Sequence, residues 1–444
     1  MKSSHDVLRL AALGLAALCA PASAAPSVDG VVVHGQDAFS GRVAVDYSLS
    51  GGPAIVTVEF ATNGVALPAS AHTFLLGDVN KVVTNAACSF TWDPRRAWPG
   101  HDVGESFTAK VTAHTFLDPP EYCAIDLTRE RDAAASHPMY FYTGEDAVPG
   151  GVTNEVYKRS AILLRKIPRT GAQGFVMGSP EWEEGREQYE SPSRESPHRV
   201  VLTRDFYIGV YEITQEQYRR VIDFGDAKPY NKTAWKGRNY TSMSPVNPME
   251  QRSYEDLRGS GEAYDWPSAG SAVDPALFFG VLRAKTGGAF LWDLPTEAQW
   301  EYACRGDSTA AFHDGTAYRA GAPASAEAAV LAAADEISWN LRNAAKTTQE
   351  VGTRRKNMFG LYDMHGNVTE WCRDWMLRSG GKSLPLPDAV DPAGAASSDY
   401  RVGRGGRCDT APKFNRAARR AGHAAATRSG YIGFRLSATI GEGE

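Results

Sequence analysis

The 444 residues hold no surplus of positive charge: 47 Lys and Arg stand against 52 Asp and Glu, a net charge of -5. A nucleic-acid-binding surface needs a basic footprint, so nucleic acid is not an expected partner. Beyond the first two dozen residues no apolar run approaches the ~20 residues that cross a bilayer as a helix, so no integral membrane segment is expected. The generic catalytic signatures G-x-S-x-G, C-x-x-C, H-E-x-x-H and the phosphate loop are missing. Gly381-Lys382-Ser383 lacks the upstream glycine of a Walker loop. No fixed-period repeat occurs, which excludes solenoids and propellers. Cysteine is scarce, with six in all, and Cys19 falls in the leader described next.

Lys2 and Arg9 form a positive n-region, Leu10 to Ala20 an apolar core, and Ala22-Ser23-Ala24 an A-x-A cleavage site. Residues 1–24 therefore read as a secretory signal peptide, and the mature protein is expected to be secreted, periplasmic or extracellular. A lipid anchor at Cys19 is the weaker reading, because Leu18 is too bulky for that site. The exported chain keeps Cys88, Cys123, Cys304, Cys372 and Cys408. An odd count leaves at least one thiol without a partner in the chain; Cys88 with Cys123 is the natural pair.

The length predicts two folded units after the leader. Residues 26–145 read as an all-β sandwich, immunoglobulin-like: short alternating runs at Val31–Val33, Val43–Leu49, Ile55–Phe60, Val79–Val83 and Phe107–Val111 are separated by turn residues. Its His34, His72, His101 and His114 are scattered singly, unlike a metal cluster. Thr143 to Gly151 is a polar, glycine-bearing linker. Residues 155–440 read as an α+β domain. Thr214 with Gln217, and Thr296 with Gln299, form capping boxes that start helices, and Gly306 stands where the second helix stops. Gly259–Pro275 is expected to be a loop insertion and Ala320–Ala334 a short helix.

One thirteen-residue stretch, Phe359-Gly360-Leu361-Tyr362-Asp363-Met364-His365-Gly366-Asn367-Val368-Thr369-Glu370-Trp371, combines an apolar run, a tight turn and two spaced carboxylates. Upstream lies Leu294-Pro295-Thr296-Glu297-Ala298-Gln299-Trp300-Glu301-Tyr302-Ala303; downstream lie Arg404-Gly405-Gly406 and Gly433-Phe434-Arg435-Leu436. Together these segments resemble the sulfatase-modifying-factor family, whose founding activity is formylglycine generation, from about Ile162 to Ala438. The resemblance implies an elaborated C-type-lectin-like α+β domain with little regular secondary structure.

It also implies site residues. Asp363 and Glu370 bracket a glycine turn, a pattern that by spacing alone fits a solvated or capping carboxylate as well as a cation loop. In the family this segment binds calcium, through positions that are Asp363, Gly366, Val368 and Glu370 here, so Ca2+ is the expected cofactor. A second family calcium site resembles Asn340-Leu341, but its acidic Asp-Gly-aromatic piece is missing; Asn340 equally suits a turn cap. Formylglycine generation needs two cysteines after the Gly-Gly pair, since soft thiolates hold Cu(I). Cys408 is the one candidate catalytic thiol, and counting back from Ala417-Ala418-Arg419 puts the second near Ala411. Copper is therefore not expected, and Cys408 reads as structural, with Cys372 one available partner; the sequence leaves the pairing among Cys304, Cys372 and Cys408 open.

Two further positions depart from the family pattern: its serine after Gly-Gly is Arg407, and its first Trp in Gly-Asn-Val-Trp-Glu-Trp is Thr369. Across Arg401–Arg428 the arginines either brace loops or line an anion-binding cleft, for which Arg404, Arg407 and Arg416 are the candidates. The expectation is a non-catalytic binding or accessory protein with a protein, anionic glycan or acidic peptide partner. The alternatives are an active oxidoreductase that converts a sulfatase cysteine to formylglycine, and a lectin-like ligand-display protein.

Overall fold

The computed structural model describes residues 24–442 except 102, 105, 129–135, 187–193, 223–240, 380–381 and 385. The expected signal peptide thus lies outside the described residues, apart from Ala24. The chain divides into two compact units: one holds the residues up to Leu67 with Phe74–Thr115, the other Pro68–Thr73 with Phe116–Glu442.

The first unit is all-β. One sheet runs in the order Ser27–Val33, Val43–Ser50, Ala87–Trp92, Leu75–Gly77; in the other, Ala54–Thr62 is flanked by Phe107–His114 and by the short strands Val65–Ala66 and Lys81–Val83. Period-2 alternation in Val43–Ser50, buried at every second residue, gives the sheet one apolar face. The two sheets meet through Phe60, 4.4 Å from Trp92, which stacks in turn on Phe107 at 5.1 Å.

The second unit is α+β, and it starts earlier than the sequence pattern suggests. Tyr122–Asp126 and Met139–Tyr142, expected in the sandwich, instead join a five-stranded antiparallel sheet with Ala161–Ile167, Phe206–Gly209 and Ser437–Thr439. The expected Cys88–Cys123 disulfide is not formed: both thiols are free, Cys88 on strand Ala87–Trp92 and Cys123 on this sheet. Cys304, Cys372 and Cys408 are free and buried as well, so the Cys372–Cys408 pair does not form either.

Both capping boxes form. Thr214 Oγ1 accepts from the Gln217 N–H at 3.2 Å while Gln217 Oε1 accepts from the Thr214 N–H at 3.0 Å. Thr296 and Gln299 repeat the exchange at the start of helix Glu297–Arg305, and Gly306 ends it with φ +54°. The Ala-rich insertion is a helix, Ala324–Ile337. Gly259–Pro275 holds a single 3-10 turn, Glu262–Tyr264. No helix of the described residues is long and apolar enough to cross a membrane.

The second sheet of this unit carries the candidate site. Its order is Ala421–His423, Arg401–Arg404, Thr369–Trp375, Ile432–Gly433, the last pair parallel. Trp300, Cys372, Val402 and Ala417 are buried in the core cluster between this sheet and helix Glu297–Arg305.

Candidate functional site

The Thr296 cap fixes the helix that presents Glu297 and Glu301, one turn apart and each 1% exposed, to strand Arg401–Arg404. Arg404, 0% exposed, answers both: Nε lies 3.3 Å from Glu297 and Nη2 bonds Glu301. Its Nη1 donates to the carbonyls of Ala417 (3.1 Å) and Arg419 (2.7 Å), anchoring the far end of the loop that follows. The Arg305 and Arg404 guanidiniums overcome the burial of Glu301 and hold its carboxyl down at about 2. Arg416 is equally enclosed, with Nη1 on Glu183 and 2.9 Å from Glu195. Arg404 and Arg416 therefore face no cleft; they are braces, a correction to the reading by position beside the Gly-Gly turn.

Between these braces the chain turns through Gly405 and Gly406, both at positive φ. A Cβ on Gly406 would come within 2.1 Å of Asn415 Oδ1, so only glycine lets the loop close here. Asn415 clamps the loop: its Oδ1 accepts from the Arg407 N–H (3.0 Å) and the Thr410 hydroxyl (2.8 Å).

The loop and the sheet enclose a cleft of about 330 Å³, whose side chains come from Thr369, Arg407, Thr410, Phe414, Arg419 and His423. Arg407 is half-buried, paired with Asp409 at 2.9 Å and laid over the Tyr431 ring at 5.0 Å. Arg419 lies over Phe414 at 5.4 Å, with Glu195 3.9 Å away. The Thr369 hydroxyl donates to the Gly406 carbonyl at 3.0 Å. Gly403 leaves room for Thr369 and His423 to sit side by side; its Cβ would lie 2.6 Å from Thr369 Cγ2 and 3.1 Å from His423 Cδ2. His423 packs edge-on against Trp371, and burial with the nearby Arg407 charge pushes its pKa down to about 4. The ring is therefore neutral near pH 7, and its Nε2 is buried without a hydrogen-bond partner. Of the predicted anion-binding residues only Arg407 is in the cleft. Arg419 and His423 were missed as individuals, although the basic stretch contains both.

At the proposed cation ligands the two carboxylates have different partners. Glu370, 0% exposed, accepts from Arg435 Nη2 at Oε1 (2.7 Å), and its Oε2 accepts from Arg435 Nε (2.9 Å) and Trp300 Nε1 (2.7 Å). Asp363 accepts from the Gly352 N–H at 2.6 Å, leaving Oδ1 buried and unpartnered. The Gly366 N–H donates to the Gly405 carbonyl at 2.7 Å, and the Val368 N–H points to Glu212 at 3.2 Å. With both Glu370 oxygens held by Arg435, the Glu370 carboxylate is not free to ligate a calcium ion. Burial outweighs the Gly352 bond at Asp363 and raises it to about 6; Glu212 is raised far more by burial, Asp363 and Glu370.

Asn340 is a turn cap: its Nδ2 donates to Asp335 (3.0 Å) and Ser338 Oγ (2.9 Å), and its Oδ1 accepts from the Arg342 N–H (2.9 Å). Among the described residues no three His, Cys, Asp or Glu are arranged to hold a metal ion. The copper set lacks its second thiol: Ala411, which opens the turn Pro412–Phe414, offers none, and Cys408 is left alone, its thiol pushed up to about 12 by burial and the Asp409, Glu250 and Glu212 charges.

Residues 173–440 match the sulfatase-modifying factor enzyme 1-like domain, and the chain belongs to this family. It is similar to chaperone protein LppX of Paenibacillus barcinonensis, 29% identical over 42% of this chain and 67% of that protein. It is also similar to the formylglycine-generating enzyme of Streptomyces coelicolor, 34% identical over 32% of this chain and 46% of the enzyme. Among solved structures, PvdO from Pseudomonas aeruginosa aligns with a TM-score of 0.44 at 23% identity, covering 63% of this chain and 94% of PvdO.

Proposed function

We propose that this family member is an exported binding or accessory protein without the copper-dependent oxidase chemistry, and that the Arg407 cleft is its ligand seat for a carboxylate- or sulfate-bearing partner. One observation carries the reading. The two positions at which the chain departs from the family pattern outside the cysteines, Thr369 and Arg407, line the same cleft. An indole and a serine have given way to a hydroxyl and a guanidinium, with Arg419 beside them. That exchanges an aromatic wall for the forked donors that match planar anions. Similarity to a protein named a chaperone supports an accessory role; the leader-like residues 1–24 support export.

The oxidase alternative draws on the similarity to the Streptomyces enzyme. Incubation of the full chain with copper, oxygen and a cysteine-bearing sulfatase-type peptide, followed by aldehyde labelling, separates the two. No label is expected, whereas labelled peptide overturns the proposal. In parallel, a glycan and acidic-peptide array should show anionic preference that weakens with salt and is lost in Arg407→Ser and Arg419→Ala. An array without anionic preference also overturns it.

A further inference from the structure

A second pocket, sharing no lining residue with the Arg407 cleft, lies where helix Tyr254–Arg258 meets the ends of strands Thr369–Trp375 and Arg401–Arg404. Its volume is about 250 Å³. Ser253 caps the helix through a capping box with Asp256, and Gly259 ends it at φ +111°. A Cβ at Gly259 would lie 2.4 Å from Tyr264 Cδ2, so the glycine seats the Tyr264 ring against the backbone. Tyr264 and Trp375, both half-buried, form walls with the buried Tyr254.

The floor is Arg401, 2% exposed. Its Nη1 donates to the Trp266 and Arg373 carbonyls, each at 2.8 Å, and Nη2 pairs with Asp265. The guanidinium lies over Trp375 at 3.3 Å and Tyr254 at 4.2 Å. Arg401 Nε, however, is buried with no hydrogen-bond partner, a donor that a native interior rarely leaves unused. At the rim Glu255 and Glu262 form no ion pair or side-chain hydrogen bond with any described residue, and neither does the Tyr264 hydroxyl.

These groups limit the ligand. An anion would meet two unpaired glutamates, and a cation, facing an Arg401 charge that Asp265 already balances, would still leave the buried Nε donor unused. A purely apolar molecule would leave the Arg401 donor and the rim acceptors unsatisfied. What remains is a neutral molecule with an apolar face for the rings, oxygens to accept from Arg401 and the Tyr264 hydroxyl, and hydroxyls to donate to Glu255 and Glu262. A pyranose ring has all three. We propose that this pocket binds a neutral hexopyranose, one ring at a time, since its volume falls below the ~300–1,000 Å³ of drug-sized sites. The inference does not rest on the Arg407 cleft.

Saturation-transfer NMR on the full chain tests it with methyl glucosides, galactosides, mannosides and N-acetylglucosaminides of both anomers. Transfer to the C–H face of at least one glycoside is expected. Tyr264→Ala and, separately, Glu255→Gln should each weaken that binding at least tenfold with an unchanged melting temperature. Tyr264→Phe, which keeps the ring, should retain most of it. No transfer from any glycoside, transfer that survives both Tyr264→Ala and Glu255→Gln, or saturable binding of propylammonium in place of the glycosides would overturn the proposal.

Discussion

Replacing Glu370 with Gln asks whether this carboxylate is a cation ligand or the counter-charge of Arg435. The variant keeps the shape and removes one charge. Arg435 is 0% exposed, and its Nε and Nη2 donate to both carboxylate oxygens, at 2.9 and 2.7 Å. Breaking a buried pair from one side costs about 3–5 kcal/mol, because the surviving charge stays desolvated. Two neighbours moderate the loss. Glu212 and Asp363 also act on Arg435, and with the Glu370 charge gone both ionise more readily. The lower end, about 3 kcal/mol, is therefore expected, and at ~2–4 °C per kcal/mol the melting temperature should fall by roughly 6–12 °C. Calorimetric scans of parent and variant, each with calcium and with chelator, provide the readout. The drop should be the same in both media, and the parent should not respond to calcium. A parent that loses stability on chelation while the variant does not, or a variant that melts with the parent, would refute the reasoning.

Arg407→Ser should change the unfolding free energy by under about 0.5 kcal/mol, whereas Arg416→Met, which strands Glu183 and Glu195, should cost about 3–5 kcal/mol. Equal effects in urea unfolding would contradict the division into cleft and brace. Burial raises Glu250 from 4.5 to about 8, the Thr241 hydroxyl and N–H opposing it. The folded state thus holds the proton more tightly, and stability should decline as pH climbs through that window, by up to about 1.4 kcal/mol per unit. Glu250→Gln should flatten the slope between pH 6 and 8, and a slope left unaltered would count against the assignment. Thr296→Ala should cost about 1 kcal/mol by removing the cap of helix Glu297–Arg305; a thermal melt indistinguishable from the parent would show that the cap is not needed.

Local devices were legible in the sequence. Both capping boxes, the Gly306 stop and the Ala324–Ile337 helix depend on residues within one or two turns of each other, and the family segments identified the α+β domain. Long-range pairing was not legible. Arg404 and Arg416 are unmistakable as charges, but whether each meets solvent or a carboxylate depends on Glu301, 103 residues away, and Glu183, 233 away. The same limit hid the union of Tyr122–Asp126 with Ala161–Ile167, which moved Cys123 out of the sandwich. At the cleft the useful signal was departure from the family pattern, at Thr369 and Arg407. His423 carries no such mark, and only its pairing opposite Arg401 brings it to the site.

Arg404 spans from the helix carboxylates to the carbonyls of Ala417 and Arg419, while Asn415 ties the interior of the same loop. The backbone of residues 405–419 is thus held from beneath by groups that do not line the cleft, and the outward residues bear little of the folding free energy. Arg407 can change identity without loosening what supports it, whereas Thr369, buried and bonded to the Gly406 carbonyl, is part of the support. The identity of the Arg407 side chain is thus separable from the ion pairs and glycine turns that hold the loop. What the cleft binds is therefore set by side chains that the frame beneath it does not dictate, and family membership alone does not specify it.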